Sequence, residues 1–496
     1  MKRAIFSLAL IVLGMSLQAQ TPQFTIAPQV KSQGMKKSEF TKILAAADDG
    51  TYAIVRDTKT GLMKGIQPQE VQIVKYNALM AEEWNYTIPN SDGWDILQTT
   101  VADNKAYLLC QYGEKNHEEM FVVTCDLNAQ KTIGDPRPVY NISSERKDEV
   151  YSWTSCSPNK AYVAVVYAIL KTGKNELEMH EVLMDDEMET VWTKEYEIGA
   201  MNSIFATNDG EIVTLGLDHS EDRPTRTSVV VGYLSDEDEM AYVDRQQFGI
   251  SDLEILNCVN RKVVMLGVRK ADSSPKNKEH MDGYFGMVMD MSTGNAVYNM
   301  SDLTLKEVNV LSNQKESTKQ KSNTCDALCV RQKAVTDFGG CGVLERVWSV
   351  TVCSNQGGCN TTFYTMGEIV VGVDTTGEIR YSSPIRHFGT QSNFNYGMRM
   401  GFITQGNDSY LMVCEDKKSP ATYQTADKVR VFLANRTAPM LTLYKIAANG
   451  DVTKFDRTAG PKLSFLESNL IEVAEGEYRF VMSNASKGGI NTLKLK

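Results

Sequence analysis

The stretch ATNDGEIVTLGL at residues 206–217 has two apolar arms around a tight polar turn, and the same arrangement returns along the chain. Other copies are AAADDGTYAIVRD (45–57), VADNKAYLLCQY (101–112), SCSPNKAYVAVVYA (155–168) and NCVNRKVVMLGV (257–268). Asn, Asp and Gly supply the backbone geometry of the turn, and alternating β-branched residues supply the arms. Each copy therefore predicts a β-hairpin.

A second hairpin follows each of the first ones, as in FVVTCDLNAQKTIG, VVVGYLSDEDEMAYV and FGMVMDMSTGNAVYNM. Two hairpins make a four-stranded antiparallel sheet, and one such sheet cannot bury both of its faces. Sheets that repeat every 40 to 55 residues or so pack radially around a channel. The sequence therefore predicts an all-β fold, a single β-propeller of four-stranded antiparallel blades.

Positions that follow the first turn of each repeat give the number of blades. Equivalent positions are Tyr52, Tyr107, Tyr162, Ile212, Val263, Trp348, Tyr410 and Tyr478. The long step from Val263 to Trp348 indicates an insertion in the sixth repeat. Eight blades of about 54 residues and an insertion of about 35 account for the chain after its leader, and seven blades remain the alternative.

The two ends of the chain are predicted to share one blade. The last repeat, LIEVAEGEYRFVMSN followed by INTLKLK, provides only three strands, while QFTIAPQV at 23–30 is a strand without a repeat of its own. Pairing of the N- and C-terminal strands would complete the blade and remove two edge strands that would otherwise be exposed.

Residues 1–19 have the features of a signal peptide. Lys2 and Arg3 precede a short apolar run, and Ala19 is a small residue at the expected cleavage point. No other apolar run approaches the roughly 18 residues that a membrane helix needs. We expect residues 20–496 to form an exported propeller without a transmembrane segment, located in the periplasm, at the outer-membrane surface or outside the cell.

Charge and motifs argue against several kinds of partner. Loss of the leader takes the formal charge from −10 to −12, and no dense Lys/Arg tract remains to contact nucleic acid. The acidic runs 185–189 and 236–239 lack the spacing of a calcium loop. G-x-S-x-G and H-E-x-x-H are absent as well. The sequence predicts no nucleic-acid partner, no cofactor and no metal, and catalytic residues stay unassigned.

Five of the ten cysteines fall in one window, at Cys325, Cys329, Cys341, Cys353 and Cys359. We place the polar insertion at about 313–344, in the first hairpin turn of the sixth blade. In an oxidising compartment disulfides would order such a segment, and the pairing stays open. A zinc site has less support from this spacing. Buried core positions are expected for the other cysteines, Cys110, Cys125, Cys156, Cys258 and Cys414.

Loops between the two hairpins of a blade and loops between blades share one face of a propeller, here called the loop face. The opposite face, which carries the hairpin turns, is the turn face. Four histidines map to the loop face: His117, His219, His280 and His387. Convergence could make a metal site, but they come from blades two, four, five and six, which favours separate polar loops. His180 is expected to be packed or solvent-facing.

Two motifs resemble those of known families. DMSTGNAVY (290–298) and DTTGEIRY (374–381) resemble the Asp-x-x-Thr-Gly turn and following aromatic of quinoprotein propellers, which supports the fold and implies no catalysis. GEYRFVMSNASKGGINTLKLK (476–496) resembles the closing hairpin of type IX secretion sorting domains, although the same residues fit the eighth blade. At fold level, the chain resembles secreted bacterial propeller repeat proteins.

Three functions remain open from the sequence. The first is a non-catalytic propeller that binds a protein, peptide or glycan through its loop face; an acidic partner would fit the lysine-bearing loops 61–70, 171–177, 269–280 and 415–428. Alternatives are a carbohydrate-active hydrolase or lyase with carboxylates at the channel mouth, and a structural component of an envelope assembly.

Overall fold

The computed structural model describes most of the chain. It covers residues 22–495 except 27, 29, 34–37, 48–49, 62–64, 78, 115–116, 144–148, 172–175, 197–200, 220–226, 272–279, 313–323, 347, 354–358, 366, 388, 393–399, 417–438, 456–457, 460–463 and 485–486. The predicted signal peptide lies outside the described residues. Among those that are described, no helix is both long and apolar enough to cross a membrane.

Eight four-stranded antiparallel blades form the molecule, as the sequence predicts, and the first four use consecutive strands. In blade one, β2–β5 are Ser38–Ala47, Gly50–Gly61, Gly65–Tyr76 and Glu82–Thr87. In blade two, β6–β9 are Asp95–Ala102, Lys105–Glu114, His117–Asp126 and Lys131–Ser143. In blade three, β10–β13 are Glu149–Cys156, Val163–Lys171, Glu176–Met184 and Thr190–Tyr196. In blade four, β14–β17 are Ser203–Ala206, Ile212–His219, Thr227–Leu234 and Glu239–Arg245.

The last four blades contain an interruption and the closure of the ring. In blade five, β18–β21 are Ile250–Val259, Lys262–Lys270, His280–Asp290 and Asn295–Asp302. In blade six, β23, β24, β27 and β28 are Leu328–Thr336, Gly339–Arg346, Glu368–Asp374 and Ile379–Ile385. In blade seven, β30–β33 are Met400–Gln405, Asp408–Asp416, Pro439–Ile446 and Val452–Lys454. In blade eight, β35–β37 are Ser464–Ala474, Glu477–Asn484 and Lys487–Lys494, and β1, Gln23–Thr25, is the fourth strand.

A few elements lie outside the regular blades. A three-stranded sheet comprises β25, β26 and β29, which are Trp348–Cys353, Cys359–Thr365 and Gly389–Ser392. Short strands β22 and β34, Cys325–Asp326 and Thr458–Ala459, pair with blades five and seven. Helix α1 is Leu305–Leu311.

The sixth blade differs from its sequence-based assignment. Residues 328–344, which the predicted insertion at 313–344 included, belong to β23 and β24 and form the first hairpin of the blade. The interruption of the repeat instead follows β24, where β25 and β26 separate the second strand from the third. Residues 313–323 lie outside the described part of the chain. By this topology β25 and β26 belong to the loop face, whereas the predicted insertion was assigned to the turn face.

Leu305–Leu311, which follows the last strand of blade five, is a helix with a capping box. The Thr304 hydroxyl accepts the Glu307 N–H at 3.2 Å, and the Glu307 carboxylate accepts the Thr304 N–H at 2.7 Å. These two bonds satisfy backbone donors that a helix leaves free at its start. Val308 and Leu311 are buried against blades five and six, so α1 covers the junction between them.

First strands of successive blades contact one another around the ring: β2, β6, β10, β14, β18, β23, β30, β35 and again β2. These strands therefore line the central channel. Apolar side chains fill the spaces between blades; between blades two and three, Leu109 and Val122 pack with Val165 and Met184. Each blade buries both of its faces against its neighbours in this way, which a lone sheet cannot do.

Candidate functional site

A row of polar side chains occupies the first strands of blades one to six, next to the channel. Its members, here called the channel row, are Lys42, Gln98, Thr154, Ser203, Glu254 and Lys333. Each forms a hydrogen bond to a neighbouring blade, so the row joins blades close to the axis of the propeller. Polar groups in such a position can bind ligands or can hold the ring together.

In blades one to three the channel row carries one unusual cation. The Lys42 ammonium donates to the Leu97 carbonyl oxygen at 3.0 Å, and the Gln98 amide donates to the Thr154 hydroxyl at 3.4 Å. Burial lowers the pKa of Lys42 to about 8. Desolvation favours the neutral amine, and a shifted lysine is a feature that binding and catalytic sites also show.

In blades four to six the channel row contains a hydrogen-bonded triad with one acid and one cation. Glu254 accepts the Ser203 hydroxyl at 2.8 Å and the Lys333 ammonium at 2.7 Å. Asp252 lies two residues earlier and accepts the N–H groups of Leu253 and Val330, while burial raises its pKa. Two neighbouring carboxyl groups with different surroundings fit acid–base chemistry, yet each is held by bonds that join blades.

The described histidines of the loop face have separate partners. The His117 ring bonds the Ser143 hydroxyl at 2.8 Å and approaches Glu119 at 3.6 Å, whereas His387 contacts Glu368 in a fully buried pair. His280 begins β20, opposite Asp326. The His219 side chain lies outside the described residues. The structure therefore does not bring His117, His280 and His387 into one metal site.

His180, which the sequence did not single out as functional, lies in an aromatic and acidic cluster between blades two and three. The Tyr140 and Tyr167 ring centroids are 4.5 Å apart, and the His180 ring stacks on Tyr167 at 4.7 Å and 12°. His180 Nε2 is 3.1 Å from Glu178 and Nδ1 is 3.3 Å from Glu195. Sequence spacing does not predict this group, because Glu195 is far from His180 in sequence and lies next to it only through the register of β12 and β13.

Several carboxylates gather at the loop-face ends of strands in blades two and three. The carboxylate surface comprises Glu114, Glu119, Glu149, Glu178 and Glu195. Glu114, Glu149 and Glu195 are exposed, and the other two are half-buried. Tyr112 donates to Glu114 at 3.2 Å and Tyr151 donates to Glu149 at 2.5 Å, so hydroxyl groups hold two of the acids in place.

The lysine-bearing loops that the sequence suggested as a binding surface lie mostly outside the described residues. Most of 171–177, 269–280 and 415–428 lies outside the described residues, as do residues 62–64 of the first loop. The charge that is described on the loop face of blades two and three is negative.

The cysteine window is divided between several elements. Cys325, Cys329 and Cys341 lie on β22, β23 and β24, and register places Cys329 opposite Glu345, four residues from Cys341. That separation is roughly 13 Å along a strand, too far for a bridge between Cys329 and Cys341. Cys353 and Cys359 occupy opposite positions of β25 and β26. Disulfides in this window stay a prediction.

Two of the remaining described cysteines occupy the predicted buried core positions, and two are only half-buried. Cys110 and Cys125 are fully buried in blade two, and burial raises the pKa of the Cys125 thiol to about 12. Cys156 and Cys258 are half-buried on first strands, with pKa values that burial also raises. Cys414 lies in β31, where its side chain is outside the described residues. High thiol pKa values make these groups poor nucleophiles.

Comparison with known proteins finds distant structural similarity to solved structures. No protein-family model and no curated protein matches the chain. The β-propeller domain of the Trilobed protease from Pyrococcus furiosus is similar over 85% of this chain and 99% of that chain, at 13% identity and a TM-score of 0.37.

Two other solved structures are similar at the same level. Polysaccharide lyase Uly1 aligns over 84% of this chain and 94% of its own, at 10% identity and a TM-score of 0.36. The WD40 domain of SCAP from fission yeast aligns over 96% of this chain and 98% of its own, at 8% identity and a TM-score of 0.36. Similarity at this level assigns neither activity nor partner.

Proposed function

We propose that the protein is an exported, non-catalytic propeller that binds a partner protein through the loop face of blades two and three. The observation that carries the proposal is the carboxylate surface defined above. Its acids come from strands of two blades, so a rigid scaffold fixes their spacing. Loops grouped on one face of a propeller are also where ligands generally bind.

The chemistry of this surface favours a lysine- or arginine-rich segment of the partner. Glu114, Glu149 and Glu195 are exposed and can form charge-assisted bonds to cations. Tyr151, 45% exposed beside Glu149, offers a ring on which a cation can also rest. Because exposed charges act over about one Debye length, binding should weaken as salt is added.

A pair of charge-neutralising variants tests the proposal. The triple variant Glu114→Gln, Glu149→Gln, Glu195→Gln removes three charges from the loop face. The matched control, Asp236→Asn, Glu237→Gln, Glu239→Gln, removes three charges from an exposed turn of blade four on the turn face. Fluorescence anisotropy with labelled decalysine reports binding, and labelled decaglutamate controls for the sign of the peptide charge.

We expect the first variant to bind decalysine at least about tenfold more weakly, with the control unchanged. Equal weakening by both variants would mean that decalysine binding depends only on the net charge of the protein. Failure of the wild-type protein to bind decalysine, or preference for decaglutamate, would contradict the proposal. Glycan binding without peptide binding would favour the other ligand class that the sequence left open.

A second candidate is a carbohydrate-active enzyme, and Asp252 with Glu254 is the observation in its favour. Asp252 has a raised pKa because of burial, whereas Glu254 faces the Lys333 ammonium. Paired carboxyl groups in unlike surroundings can divide acid and base roles. Release of reducing ends from a panel of polysaccharides, lost in Glu254→Gln, would support this function; a panel without any product would count against it.

A further inference from the structure

Three adjacent strands of blade three present His180 and two carboxylates to one another. Register places Tyr167 of β11 opposite His180 of β12, and His180 opposite Glu195 of β13. Glu178 lies two residues before His180 and therefore on the same face of the strand. The sheet thus fixes the backbone positions of all these residues before any ligand arrives.

The imidazole has an acid at each nitrogen. Nε2 is 3.1 Å from a Glu178 oxygen, and Nδ1 is 3.3 Å from a Glu195 oxygen. A neutral imidazole carries one N–H, so it can donate to only one of these carboxylates. At the other nitrogen a lone pair meets a negatively charged oxygen. A metal ion that binds this lone pair would also lie close to that carboxylate.

We propose that Glu178, His180 and Glu195 bind a divalent transition-metal cation. One ligand atom from each residue can be chosen so that all three lie within 4.8 Å of one another. Imidazole nitrogen and carboxylate oxygen are a donor set that zinc and related ions accept. Three protein ligands leave coordination positions for water or for a group of a bound partner.

The surroundings of the site favour a fixed ligand over a mobile surface side chain. The His180 side chain is 14% exposed and stacks on Tyr167 with an interplanar angle of 12°. A ring held in this way needs little further ordering to coordinate an ion, which is how residues behind a metal ligand support binding.

Zinc titration of the full-length protein, freed of metal by a chelator, tests the site by calorimetry at neutral pH. We expect one Zn²⁺ per chain, with an affinity that His180→Ala and Glu195→Gln each reduce by about tenfold or more. His117→Ala is the matched control, because His117 lies in the neighbouring blade with one carboxylate 3.6 Å away. Exposed Glu195 also provides a variant that leaves the packing of the blade intact.

Binding of Co²⁺ supplies a spectroscopic readout, since its visible absorption reports nitrogen and oxygen ligands. Loss of that absorption in His180→Ala, together with retention in His117→Ala, would support the assignment. Absence of saturable Zn²⁺ binding, or equal affinity in wild type and His180→Ala, would overturn it. These titrations contain no partner peptide, so their outcome is independent of the proposed binding of a cationic segment.

Discussion

Phe24 lies opposite Leu493 in the eighth blade, so strands from the two ends of the described chain form one antiparallel ladder. The Phe24 ring also meets the Phe480 ring edge to face, with centroids 6.3 Å apart. β1 thus completes a blade whose other three strands come from the C-terminus. Through β1 the two ends of the described chain close the ring within one blade.

Replacing Phe24 with Ala should weaken that closure. Loss of its contact with Phe480 is expected to lower the free energy of unfolding by roughly 2 kcal/mol, below the range for a fully buried phenylalanine because Phe24 is partly exposed. Urea unfolding measures the change, and Leu79→Ala, at a side chain 80% exposed, is the control. Equal stability of both variants would mean that β1 contributes little to closure.

Turns and the number of blades were accessible from the sequence because they depend on local chemistry. Asp103 and Asn104 have positive φ values of 49° and 59° in the first turn of blade two, the conformation that these residue types predict. The predicted pairing of the terminal strands is confirmed as well. Each inference needed only a turn signal and a count of strands.

The sequence-based position of the sixth blade is wrong because one of its strands is rich in glycine, which gives a weak strand signal. The sequence GGCGVLER forms β24, and Trp348, used as the equivalent position in the repeat, lies in β25 instead. A Cβ at Gly340 would lie 2.6 Å from the Leu256 Cβ, so glycine permits close packing on blade five. Glycine weakens the sequence signal for a strand. The reason for glycine at this position is a tertiary contact, which the sequence does not show.

Gly340→Ala should therefore destabilise the junction of blades five and six. The new methyl group would overlap a side-chain atom next to the backbone, which cannot rotate away, and overpacking of this kind costs about 1–3 kcal/mol. Gly113→Ala is the control, because its nearest neighbouring atom would be 3.9 Å away. Chemical denaturation of both variants measures the difference, and similar midpoints would refute the packing explanation.

The polar sites could not be predicted from the sequence, for a different reason. Ser203, Glu254 and Lys333 meet near the channel although each comes from a different blade. His180 meets Glu195 only through the register of β12 and β13. Neither group has a local motif, because strands bring together residues that sequence spacing keeps apart.

Lys42 should make stability depend on pH in the alkaline range. Its pKa is about 8 in the folded protein against an ordinary value of 10.5, so the unfolded chain binds more protons between those values. Folding stability attributable to this group is therefore reduced below pH 8 and recovers as pH rises toward 10.5. Lys42→Met should be more stable than wild type at neutral pH, with the advantage shrinking above pH 8.

Thermal unfolding of both proteins across this pH range measures the difference, and Lys262→Met, at an exposed position in blade five, is the control. A constant difference between Lys42→Met and wild type would contradict the shifted pKa. A stability advantage of Lys42→Met that grows with pH would also contradict the lowered pKa, because it would require a raised one.

Cys353 and Cys359 should form a disulfide when the protein is exported. They are opposite residues of β25 and β26, and such positions place Cα atoms about 4.5–5.5 Å apart, within the range of disulfides. Both lie on one tryptic peptide, 347–380, so oxidation makes that peptide lighter by two hydrogen atoms. Mass spectrometry after alkylation without reduction should find it unalkylated; recovery of the dialkylated peptide from the exported protein would disprove the bond.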